Sequence, residues 1–263
     1  MSCSLHAEWT KLRTLASTWW LLAAAVALTI AVGAAVAAAV QCDPAGCAAA
    51  STGADPAKIS LTGIVLGQVV VAVLAAGVIG GEYGTGMIRV TLAATPRRLT
   101  VLAAKAAVVT GCVLAAGTAA VLGSMLAGRL ILPGRGLTAA NGYASLSLGN
   151  GPDLRAVAGS VLYLALIGLL AFGIATALRD PAAAIGVVLG LLYLFPIVAA
   201  VIPDHVLARH LLQIAPMSAG LYIQATVGVR SLPLTPWQGL GVLAAWAFGA
   251  LFLGALVLRF RDA

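Results

Sequence analysis

Six runs of apolar residues, each close to twenty residues long and nearly free of charge, dominate this chain. They cover residues 19–40, 59–81, 101–127, 156–178, 182–202 and 240–258. A helix needs about 20 mostly apolar residues to cross a hydrocarbon core of about 30 Å. A helix also pairs its backbone donors and acceptors within one segment, which lipid demands. The six runs therefore predict an all-α, polytopic membrane protein with six transmembrane helices. Composition agrees: 62% of the 263 residues are hydrophobic and 9% charged, against about 25% charged in a soluble domain. The mean hydropathy is +1.06. Nothing reads as a soluble domain, a repeat array or a disordered tail, so residues 1–263 are expected to form a single transmembrane domain.

Helix starts are marked by capping chemistry. Asp55-Pro56, Thr95-Pro96, Asp180-Pro181 and Thr235-Pro236 each set a side-chain acceptor before a proline. The acceptor can satisfy an open N–H of the first turn, and proline has no N–H there to satisfy. Thr235 and Gln238 also have capping-box spacing. The first apolar run exceeds the 7–15 residues of a signal peptide's core, and it is read as a retained helix.

The net charge of +7 is carried mainly by residues flanking the apolar runs. That placement speaks for orientation in a membrane and against a nucleic-acid partner. Six crossings put both ends on one side, together with Lys11, Arg13, Arg89, Arg97, Arg98, Lys105, Arg179, Arg259 and Arg261. Lys58, Arg129, Arg135, Arg155, Arg209 and Arg230 fall on the other side, in longer segments. The positive-inside rule then predicts a multi-pass protein of the cell membrane with both termini cytoplasmic.

Motifs for catalysis are missing from the sequence. There is no HExxH, no GxSxG and no Walker A pattern, and the three lysines lie outside glycine-rich loops. No catalytic, cofactor-binding or metal site is therefore expected on this chain. The four cysteines make no CxxC pair and the three histidines are scattered. Cys42 and Cys47 share a short loop and could form a disulfide facing an oxidising space, or stay free thiols. Acidic residues occur at loops and helix ends, unlike the buried relays of ion-coupled carriers.

Two segments suggest contacts beyond the spans. Leu5, Trp9, Leu12 and Ala16 recur at helical spacing, with Lys11 and Arg13 off that stripe. Residues 1–18 are expected to form an amphipathic interfacial helix anchored by Trp9. The second segment leaves the second run through Gly80-Gly81 and continues Glu82-Tyr83-Gly84-Thr85-Gly86-Met87-Ile88-Arg89 toward Arg97-Arg98. Thr85 is placed to cap a short helix at the membrane surface, suited to docking a cytosolic partner. On the opposite side, Val206, Leu207, Leu211 and Ile214 share a face between Pro203 and Pro216, which predicts a short interfacial or re-entrant helix. Gly63 and Gly67, and Gly186 and Gly190, have GxxxG spacing and are candidate packing faces.

Glu8-Trp9-Thr10-Lys11-Leu12-Arg13, Ser17-Thr18-Trp19-Trp20, the run Gly81–Arg89 and Ala93-Ala94-Thr95-Pro96-Arg97-Arg98 together resemble the ABC-2 type transporter permease family of actinobacteria. The resemblance covers essentially the whole chain. It implies a permease half of an ABC exporter, with the N-terminal amphipathic helix (Glu8, Trp9, Lys11, Leu12, Arg13) as connecting helix. It implies that Glu82, Tyr83, Gly84, Thr85, Gly86, Met87, Arg89, Arg97 and Arg98 couple to a separate ABC ATP-binding protein. ATP and Mg would then be held by that partner, and a second permease chain would complete the unit. A small amphiphilic, drug-like or lipid-like cargo is the expected substrate. An ATP-independent carrier or channel, or a non-transport subunit of a sensor or resistance complex, is the alternative.

Overall fold

A computed structural model of the chain describes residues 9–10, 16–40, 54–84, 87 and 98–260. Every regular element among them is helical. The main helices are α1 (Ala16–Ala39), α2 (Pro56–Leu61), α3 (Ile64–Gly84), α4 (Arg98–Ile131) and α5 (Gly151–Leu178). They continue with α6 (Pro181–Val201), α7 (His205–Ile214), α8 (Pro216–Leu221) and α9 (Pro236–Phe260). Six units are long and apolar enough to span a membrane: α1, α2 with α3, α4, α5, α6 and α9. The chain is a polytopic membrane protein of all-α class. Six crossings place the start of α1 and the end of α9 on the same face, called here the near face.

The helices exceed the apolar runs at several ends because capping extends them. Asp55 caps α2 by accepting from the backbone N–H groups of Ala57 (3.1 Å) and Lys58 (3.2 Å). Asp180 accepts from the Ala183 N–H at 2.6 Å. Thr235 and Gln238 form the reciprocal pair expected of a capping box, at 3.1 and 3.4 Å. The cap predicted at Thr95 lies outside the described residues. The second span is not one continuous helix: a turn at Thr62-Gly63 separates α2 from α3.

That turn exists because two backbones meet there. A side chain on Gly63 would collide with the Thr29 carbonyl and the Gly33 backbone of α1, and one on Gly33 with the Ser60 carbonyl. Gly67 is likewise filled by the Thr29 hydroxyl. The pair Gly63 and Gly67 is thus a contact between α1 and the second span, the small-residue packing that membrane helices favour. Gly186 and Gly190 face open space instead. Gly63→Ala is expected to destabilise the bundle by about 1–3 kcal/mol through overpacking, while Gly186→Ala stays near neutral. Thermal unfolding of the two variants in the same mild detergent checks the contrast.

Helix α5 is the hub. It packs against α3, α4, α6 and α9, and Tyr163, Ile167, Leu170 and Phe172 on it are fully buried. Gly173 lets α5 approach the backbone of α9 at Ala250 and Leu251. Helix α8 inserts beside this hub and is mostly buried, with Met217, Ala219 and Gly220 enclosed. Gly220 lies against the Tyr163 ring. A polar knot fixes the arrangement: the Tyr163 hydroxyl donates to Gln68 Oε1, and Gln68 Nε2 donates to the Tyr193 hydroxyl (3.1 Å) and meets Met217 Sδ (3.4 Å). Tyr193 in turn donates to the Val65 carbonyl. Buried polar groups in lipid must be paired, and this knot pairs them across α3, α5, α6 and α8. Helix α7, the predicted interfacial helix, contains no buried residue.

Candidate functional site

Two polar assemblies stand out, one at each face. At the near face, α3 does not exit through its glycines as the sequence suggested; it continues as helix to Gly84. Gly80 is needed for close approach, because a Cβ there would strike the Pro181 side chain at the start of α6. The extra turn carries Glu82 inward. Its carboxylate meets the Lys105 ammonium of α4 at 2.6 Å, with the two side chains only 10% and 1% exposed. The expectation that Glu82 belongs to a surface loop is corrected by this burial. Lys105, taken as a flank that sets topology, is withdrawn from the interface by the same pair.

Arg179 joins this assembly from a third helix. Its guanidinium lies over the Tyr83 ring, 5.6 Å from the centroid, and donates to the Val257 carbonyl of α9 at 3.4 Å. Its backbone has φ of 61°, the one positive φ at a non-glycine among the described residues. Such a conformation costs about 1–2 kcal/mol for a residue with a Cβ. The turn from α5 to α6 is short enough to require it: Arg179 closes α5 through its N–H to the Ala175 carbonyl, and Asp180 opens α6. Glu82, Tyr83, Lys105 and Arg179 thus link α3, α4, α5 and α9 around the connection between α3 and α4.

The remaining residues predicted for that region are placed as follows. Gly84 ends α3. Met87 is helical and exposed, and the backbone of Arg98 opens α4. Thr85, Gly86, Arg89 and Arg97 lie outside the described residues, as do Cys42 and Cys47. Trp9 is helical and exposed, while Glu8, Lys11, Leu12 and Arg13 lie outside the described residues.

At the far face, Asp55 does more than cap α2. Its Oδ1 also accepts from the Thr226 hydroxyl at 2.7 Å, and its Oδ2 accepts from the backbone N–H groups of Thr226 and of Val227 (3.0 Å). Arg155, at the start of α5, donates to the adjoining Ala225 carbonyl. Asp55 and Arg155 therefore clamp the segment after α8 from both sides. Sequence reading used Asp55 only as a cap and Arg155 only as a flank; the chain separation between these partners left no local pattern to find. Asp153 holds the preceding loop in a similar way, accepting from the Ser147 N–H at 3.0 Å. Among the described residues there is no cluster of three or more metal-ligating side chains. No family model matches the chain, and no curated protein matches it.

Proposed function

We propose that the chain is the membrane-spanning permease subunit of an ATP-driven exporter, powered by a separate ATP-binding subunit that docks on the near, cytoplasmic face. The observation that carries this reading is the buried Glu82–Lys105 pair. It joins the two spans that flank the connection 85–97, so a displacement of that connection moves α3 and α4 together. Arg179 extends the link through Tyr83 to α5 and α9. A push delivered from outside the bundle thereby reaches four spans, which is what an energy source on another polypeptide requires. The sequence has no nucleotide-cradling motif of its own; ATP and Mg belong on the partner.

The working unit in this reading has two permease chains and two ATP-binding chains. Trp9 rests at the cytoplasmic interface in this reading, and the clamped far-face segment lies near the exit. The cargo in this reading is a small amphiphilic or lipid-like molecule. Affinity purification of the tagged chain in mild detergent is expected to bring down a Walker-motif protein whose ATPase activity rises in the complex. Recovery of the chain with no such protein, from cells that express it at native level, would sink the proposal.

A further inference from the structure

Two cavities meet at the far end of α4. The first, of about 450 Å³, is bounded by the last turn of α4 and the loop after it, with Leu137, Thr138, Ala144 and Ser145 among its walls. The second, of about 290 Å³, lies between Leu122, Met125 and Leu126 on α4 and Leu148 on the loop. Arg129, Leu146 and Ser147 line both. A polar chamber therefore adjoins an apolar groove, with an arginine where they meet.

The register of the spans sets the depth of this site. Gly117 of α4 faces Leu164 of α5, and Val113 faces Gly168. The two helices run antiparallel, so Arg129 is level with Pro152, Leu126 with Arg155 and Leu122 with Gly159. Arg155 is the last charge on α5, and the apolar run starts at Ala156. Arg129 thus stands at headgroup level. From it the groove descends to Leu122, about 10 Å at 1.5 Å per residue, which stays within the far half of a hydrocarbon core of about 30 Å. Leu122, Leu126 and Leu148 are exposed, so the groove opens sideways into the far leaflet.

The chamber offers donors. Arg129 is exposed and, among the described residues, makes no hydrogen bond, ion pair or ring contact. Ser147 Oγ accepts from the Gly149 N–H at 3.2 Å, which leaves its own hydrogen to donate. No acid lines either cavity. Asp153 stays charged, but it is buried outside both linings and holds the Ser147 N–H. Asp55, beside the lining residue Pro56, is turned to its donors on α2 and at Thr226 and Val227. Lys58, Arg129, Arg135 and Arg155 outnumber these two acids, so among the described residues this corner of the far face is cationic on balance.

We infer that this corner binds an anionic phospholipid of the far leaflet, with its phosphate on Arg129, the rest of a hydroxyl-bearing headgroup in the chamber and one acyl chain in the groove. The chamber is roomier than a bare phosphate requires: its volume of about 450 Å³ falls in the range of sites for whole small molecules, about 300–1,000 Å³. Thr138, Ser145 and Ser147 bring hydroxyls that pair with those of a glycerol head. A soluble anion would leave the groove empty, and an uncharged lipid would leave Arg129 unused. The inference needs only the membrane-spanning fold and is independent of ATP or cargo.

Native mass spectrometry of the full chain in mild detergent, titrated with phosphatidylglycerol or with phosphatidylcholine of the same acyl chains, tests it. The chain is expected to retain phosphatidylglycerol in preference. Arg129→Gln should weaken that retention about tenfold, the loss of one hydrogen bond between charged groups. Arg230→Gln, on the same face but outside both cavities, should leave it unchanged. Ala144→Trp fills the chamber and Leu148→Trp the groove; both residues are exposed, so both variants fold, and each should abolish the preference. Equal retention of the two lipids, an equal loss in the two arginine variants, or unchanged retention in both filled variants would overturn the inference. So would efficient disulfide formation by Ala144→Cys, in native membranes, with a second copy of the chain or with Cys42 or Cys47 of its own chain, which would give the chamber to protein.

Discussion

Glu82→Gln is expected to lower the unfolding free energy of the bundle by about 3 kcal/mol, the low end of what removing one member of a buried ion pair costs. The reason is the Lys105 ammonium, left in a site where its side chain is 1% exposed. Lys105→Met should cost a similar amount by stranding the carboxylate. The double variant Glu82→Gln with Lys105→Met should recover most of the loss, because neither charge then remains unpaired and apolar replacements of buried pairs are often neutral. Unfolding in mixed detergent micelles, followed by Trp fluorescence, measures all three. The same set separates stability from coupling. If the chain is driven by a partner ATPase as proposed, and the pair transmits force between α3 and α4, the double variant folds and assembles with that partner but transports less per ATP hydrolysed. Transport at the wild-type ratio by the double variant would reduce the pair to a structural tie.

How much of this was legible beforehand follows from what each feature depends on. The spans were readable because bilayer thickness imposes a length, and any chain that crosses must show it. The caps at Asp55, Asp180 and Thr235 were readable because they act over two or three residues. What could not be read is how each helix is rotated about its axis. The spans are apolar on every side, so they carry no amphipathic stripe to mark an inward face. Gly63 and Gly186 have the same sequence signature, yet one meets a backbone and the other open space. Glu82 looked like a loop residue because its partner Lys105 stands on another helix. Gly80-Gly81 looked like an exit because the approach of Pro181 is a tertiary event. Arg179, in a conformation that glycine would adopt freely, gave no local sign of its positive φ; the short joint between α5 and α6 imposes it.

Asp55 carries the second large expectation, and here the chemistry of the substitution decides the outcome. Asp55→Asn is nearly isosteric, but every group that faces the Asp55 carboxylate is a donor. Oδ1 accepts from the N–H groups of Ala57 and Lys58 and from the Thr226 hydroxyl, and Oδ2 from the N–H groups of Thr226 and Val227. An amide keeps one acceptor and turns a second donor toward these donors, whichever way it is flipped. The loss is expected to be about 2–3 kcal/mol, at the upper range for hydrogen bonds to a charged group, with Asp55→Ala no milder. Thr226→Val removes a single arm and should cost about 1 kcal/mol. Because the clamp joins α2 to the segment after α8, the loss should also be local. Val227, already exposed, neighbours backbone that the carboxylate holds. A cysteine at 227 should therefore react faster with a membrane-impermeant thiol reagent in the Asp55→Asn background than in the parent, while Arg155→Met loosens the same segment from its other side by freeing the Ala225 carbonyl. Equal reactivity in all three backgrounds would mean that the far-face segment is held by its apolar contacts and that Asp55 serves α2 alone.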